Sequence, residues 1–191
     1  MNTNTESQQA VEQGHTQFMK LIFSSASATL GMALAAVGIL IAAPAANAAT
    51  LSTADTDFIL AAAQGGMTEV KLGELAARNG TRDEVKDFGK MMVKDHTLIN
   101  DDLRALAAQK GVSLTDTLDA KHQETLDKMA ALTATGFDDA YIAAMIKGHK
   151  TVAREFKAEA ATTQDSDIKS FLDKSIPVVQ AHLKHIAAMK K

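Results

Sequence analysis

The chain has 191 residues, 23 acidic and 20 basic, and its formal net charge of −3 excludes the basic footprint of a nucleic-acid binder. It contains no cysteine, which removes disulfides, thiolate zinc sites, iron–sulfur clusters, cysteine nucleophiles and a lipidated cysteine together. With 46% apolar residues, 4% aromatics and two prolines, the composition favours a helical, well-cored fold over disorder or a β-sandwich.

The first element in chain order is a leader. No residue from Leu21 to Ala54 is charged, and its most apolar part, Leu30 to Ala43, is followed by Pro44 and the triplet Ala46-Asn47-Ala48. A signal peptidase needs small side chains three residues and one residue before the cut, and Ala46 and Ala48 supply them, so cleavage is expected after Ala48. Met19-Lys20 directly before Leu21 reads as a short positive start, whereas residues 1–18 carry Glu6 and Glu12 and no basic residue. The leader is therefore expected to begin at Met19 and to send residues 49–191 to the periplasm or beyond. The alternative is an uncleaved anchor through residues 21–43, and membrane contact is expected only in that case.

Four long segments with period 3.6 follow, and none shows sustained alternation of period two. The first is expected over Thr53 to Asn79, with seam Phe58, Ala62, Gly65, Glu69, Leu72 and Ala76. Ser52 and Asp55 form its capping box, and Asn79-Gly80 its stop. The second is expected to open on a capping box, Thr81 and Glu84, and to run to about Lys110. Its seam is Val85, Phe88, Met92, His96, Ile99, Leu103 and Leu106. A longer connection, Gly111 to Thr135, holds a short amphipathic helix with Leu118, Thr125, Met129 and Leu132 on one side. The third long helix follows Gly136 to about Thr163, with seam Phe137, Tyr141, Met145, His149, Val152 and Phe156. The fourth starts near Asp165 or Ser166, with seam Ile168, Leu172, Ser175, Val179, His182 and Ile186, and Pro177 is expected to kink it.

Short turns make the first and second helices, and the third and fourth, antiparallel pairs. The connection between the pairs is long enough to cross the bundle. This makes the expected fold all-α, a ferritin-like four-helix bundle whose long connection contains a short extra helix.

One polar residue interrupts the seam of each long helix, namely Glu69, His96, His149 and His182. All four lie near mid-helix, so they can meet at one level. A carboxylate and three imidazoles in an apolar interior form a site for one transition-metal ion, zinc, copper or iron. Asp95 and Glu155 are the nearest candidates to support it as second carboxylates. The plainer alternative is a hydrogen-bonded polar network without metal. His185, one turn after His182, either adds a ligand or sits at the surface, and His122 is expected to be solvated. The methionines Met91, Met92, Met129 and Met145 read as core filler. Asp101-Asp102 and Asp138-Asp139 are adjacent in sequence, so each pair diverges on a helix, and they read as solvated faces or first-turn charges. No nucleophile elbow, phosphate loop, dinucleotide fingerprint or H-E-x-x-H occurs, so no catalytic residue is assigned.

Five stretches then carry a resemblance: DTDFILAAAQGGMTEVKLGELA, VKDFGKMMVKDH with LAAQKGV after it, FDDAYIAAMIKGH, and SIPVVQAHL. Together, over residues 52–190, they resemble the bacterial domain-of-unknown-function 4142 family. Its members are exported proteins assigned a ferritin-like fold and often labelled membrane or outer-membrane proteins. The resemblance implies such a bundle outside the cytoplasm and no established reaction. Ferritin-like di-iron centres place Glu on two helices and Glu-x-x-His on the other two. Laid on that pattern, Glu69, His96 and His182 match. Val93 and Val179 stand where the motif glutamates would be, and His149 stands where a helix glutamate is expected. Ferroxidase chemistry is not implied by such a set. Two functional readings follow: a non-catalytic envelope or stress-related binding domain, whose partners are envelope components or a second copy, and a metal-binding bundle using the Glu/His site.

Overall fold

A computed structural model of the chain describes residues 51–189. The expected leader, with its cleavage site at Ala46 and Ala48 and its alternative role as an anchor, lies outside them. Five helices are present, α1 (Thr53–Asn79), α2 (Asp83–Gln109), α3 (Ala120–Ala130), α4 (Ala134–Thr162) and α5 (Ser166–Ala188), and no strand occurs among the described residues. No helix among them is long and apolar enough to cross a membrane.

Helix α1 starts and stops as its sequence dictates. Ser52 Oγ accepts the Asp55 N–H at 3.0 Å and donates to Asp55 Oδ2 at 2.7 Å, and Gly80 N–H closes the other end on the Ala76 carbonyl. Helix α2 departs from expectation. Its N-cap is Arg82, without a side-chain cap bond of its own, and the expected Thr81–Glu84 box does not form. Asp138, on α4, does the capping instead. Its carboxylate accepts the N–H groups of Thr81 and Arg82 at 3.0 and 2.9 Å and the Thr81 hydroxyl at 2.5 Å. Asp138 is thus not the solvated charge its sequence suggests; it is buried. Burial would raise its pKa, but the bonds from Thr81 and Arg82 outweigh it and hold the carboxyl below the usual range.

This contact fixes the topology. It puts the start of α4 at the end of the bundle where α1 finishes and α2 begins, and Arg82 also reaches the Met189 carbonyl just past α5. At the opposite end, Lys110 after α2 donates to Asp165 and Asp167 at the start of α5, at 2.6 and 2.7 Å. Helices α2 and α4 therefore run in the same direction. The chain between them must travel the length of the bundle, which is the ferritin-like crossover. Gln64 on α1 holds the travelling segment, accepting the Asp119 N–H and donating to the Thr117 carbonyl. Within it, α3 turns Leu126 and Met129 inward, while Thr125 is exposed and Leu132 lies 36% exposed beyond the helix end, so the expected apolar side is drawn wrongly there.

The core divides in two. One apolar cluster gathers Leu72, Ala76, Val85, Phe88, Met92, Tyr141, Met145 and Ile186; the other gathers Ile59, Leu103, Leu106, Phe156, Ile168, Phe171 and Leu172. The seams of α2, α4 and α5 face inward as expected, apart from half-buried Ile99 and Val152. Early α1 is rotated by one residue, so Ile59 and Ala63 are buried and Phe58 and Ala62 pack half-exposed against them. Gly73 and Gly89 let α1 and α2 touch backbone to backbone. A Cβ at Gly89 would lie 2.6 Å from the Gly73 carbonyl oxygen, so no larger residue fits. Helix α5 continues through Pro177, whose missing donor leaves the carbonyl of exposed Asp173 to water.

Candidate metal centre

Between the two apolar clusters the seams bring His96 from α2, His149 from α4 and His182 from α5 to one level. The three are 5%, 1% and 2% exposed, and one ring nitrogen of each lies within 4.8 Å of the others. Their ring centroids stand 5.3–5.7 Å apart.

Hydrogen bonds settle which nitrogen two of the three rings offer. His149 Nδ1 lies 3.0 Å from the Met145 carbonyl oxygen, which can only accept, so Nδ1 carries the proton and Nε2 the lone pair. His182 Nε2 lies 2.9 Å from Asp95 Oδ2 and donates to that carboxylate, leaving the lone pair on Nδ1. The nitrogens left buried without a partner are His96 Nε2, His149 Nε2 and His182 Nδ1, one from each ring. Burial, followed by the neighbouring His149 and His182, pushes His96 down to about 3. Burial and then His182 push His149 down to about 4, against the bond to Met145. Both rings are therefore neutral near pH 7, the protonation state a metal ligand requires.

Glu69 approaches the same layer from α1. Its Oε1 would lie 3.3 Å from a Cβ placed on Gly148, beside His149, so it packs close to the α4 backbone there. Its Oε2 is sealed without a partner, and burial raises the carboxyl to about 7. Tyr141, one face further along α4, also has an unpartnered hydroxyl. Burial and then the charge of Glu69 push its pKa up.

Residues 41–189 match the model of the family described as "Domain of unknown function (DUF4142)". The chain belongs to that family. No curated protein matches it at a significant level. Among solved structures it is similar to a DUF305 fragment from Deinococcus radiodurans, with a TM-score of 0.64 at 7% identity over 73% of this chain and 96% of that one. It is also similar to CopM in the Cu(I)-bound form, with a TM-score of 0.59 at 18% identity over 70% of this chain and 93% of that one. At these identities the likeness establishes the helical fold.

Within this DUF4142 bundle, not every residue singled out by sequence reaches the site. His96, His149 and His182 converge, whereas Glu69 lies beside that trio rather than in it. Asp95 does support the site, but through His182, 87 positions away, and not through His96 next to it. Glu155 is exposed and pairs with Arg154 at 3.8 Å, because its position on α4 points away from the seam. His185 is exposed, packed edge-on against Phe88, and half-buried His122 binds Asp119 at the start of α3. Tyr141 is the residue sequence reading passed over. The signal available was a hydroxyl, on the chain's single tyrosine, placed on an otherwise apolar seam.

Proposed function

We propose that this protein binds one copper or zinc ion at His96, His149 and His182, as a non-catalytic metal-holding bundle outside the cytoplasm. The observation that carries the reading is the set of three ring nitrogens, one from each histidine, buried, unpartnered and mutually close. Buried polar atoms are almost always hydrogen-bonded, so three orphans facing one another mark a place for a ligand. Imidazoles bound to zinc at about 2.0–2.1 Å stand roughly 3.5 Å apart, which small ring rotations reach from the observed spacing. The donor set is all nitrogen, suited to copper or zinc and unsuited to magnesium or calcium. The N–H bonds to Asp95 and to the Met145 carbonyl are the kind that orient metal-bound histidines. Likeness to a protein solved with Cu(I) supports copper as the first ion to try. The burial of all three rings favours holding an ion over turning over a larger substrate.

The test is a titration of the purified chain with Cu(I) under reducing conditions and, separately, with Zn(II). One equivalent per wild-type chain and none in His149→Ala is the expected result. A chain that takes up neither ion, or a variant that keeps full capacity, would leave only a polar network. The exported location is supported by the Ala46–Ala48 site, and with cleavage there the native N-terminus should be Ala49; finding Met1 or Met19 would overturn cleavage and leave the anchored alternative.

A further inference from the structure

The outer side of α4 carries a groove that the metal reading does not use. Its floor is Ile142 and Ile146 of α4 with Met189 past α5, and its volume is about 520 Å³, within the range of pockets that hold small organic ligands. Arg82, Lys147 and Lys150 rim it, against one rim acid, Asp139. Arg82 is engaged by Glu84 at 3.0 Å. Lys147 and Lys150, three residues apart and so on one helix face, are exposed and form no ion pair among the described residues.

We infer that this groove binds a single-chain anionic amphiphile of the fatty-carboxylate class. An apolar floor alone would accept any hydrocarbon, and two free ammonium groups alone would accept any anion. Their juxtaposition selects a molecule with both parts, its chain along Ile142, Ile146 and Met189 and its carboxylate between Lys147 and Lys150. Burying the chain supplies the affinity, and the paired lysines supply the preference for negative charge. The site lies on the outside of the bundle and is independent of the histidine trio.

Isothermal titration of the full chain with dodecanoate below its micellar concentration tests this, beside dodecyltrimethylammonium and acetate. Dodecanoate should bind one per chain, and the cationic and the short-chain compounds at least tenfold more weakly. The double substitution Lys147→Glu with Lys150→Glu should weaken dodecanoate at least tenfold without changing helicity, since both side chains are exposed. Ile146→Asp should do the same from the floor, and His149→Ala should leave the affinity unchanged. Equal binding of the cationic amphiphile, or undiminished binding in the charge-reversed variant, would overturn the assignment. So would attachment to anionic vesicles with no uptake of monomeric dodecanoate.

Discussion

Asp138 accepts hydrogen bonds from Thr81 and Arg82 and has its pKa held down, whereas Glu69 leaves Oε2 without a partner and has its pKa raised to about 7. Both carboxyls sit inside the same bundle. The first ties the start of α2 to the start of α4. The second shares its layer with three imidazoles that are also unsatisfied. A buried polar group that is fully bonded serves the fold, and one left bare is retained at a cost that a ligand can offset. The difference separates structural polar residues from functional candidates within one core.

The largest effect should come from breaking the satisfied side. Asp138→Ala strands two backbone N–H groups and a hydroxyl, and should cost roughly 2–4 kcal/mol in urea unfolding. A loss below about 1 kcal/mol would mean that water caps α2 equally well. Next comes the unsatisfied side with its ion. At a hundredfold excess of free metal over Kd the folded state should gain about 2.7 kcal/mol, read as a higher melting temperature that chelator reverses and His149→Ala abolishes.

A further effect should appear in acid without metal. His96 and His149 titrate near 3 and 4 in the folded protein and near 6.5 when unfolded. Their contribution is complete above pH 6.5 and is lost as pH falls toward 4 and 3. Wild type should therefore lose stability over that interval faster than His149→Ala, and parallel curves would contradict the burial argument. Glu69 has the opposite sign. Its folded value near 7 against 4.5 unfolded gives a contribution complete below pH 4.5 and lost as pH rises through 7. Glu69→Gln, isosteric with the protonated acid, should change stability at pH 4 by under about 1.5 kcal/mol. It should also flatten the decline between pH 4.5 and 7; an unchanged decline would assign that slope to another group.

Much of this comparison was legible in sequence, though unevenly. The bounds of α1 follow from Ser52, Asp55 and Gly80, which act within their own turns, and the crossover follows from the length of the connection. His96, His149 and His182 were visible because each interrupts a regular apolar seam. Asp138 was misread because its partners lie 56 and 57 positions away, and nothing in the adjacent acidic pair shows which member turns inward. Asp95 was placed with its neighbour His96 for the same reason. The one-residue rotation of early α1 reflects a run, Phe58 to Ala63, apolar on every side, where packing alone chooses the face. The touching glycines left no periodic signal, since their role is the absence of a side chain.

The crossover also has a kinetic consequence. His96 belongs to the α1–α2 hairpin, and His149 and His182 belong to the α4–α5 hairpin, so neither half owns a complete ligand set. Each hairpin can form from local contacts, but the three nitrogens meet only once the halves have docked. The ion proposed for that site would act as a clasp fastened after assembly. Such a clasp leaves the speed of folding largely unchanged and lengthens the lifetime of the assembled bundle, because the halves cannot part without first releasing the ion.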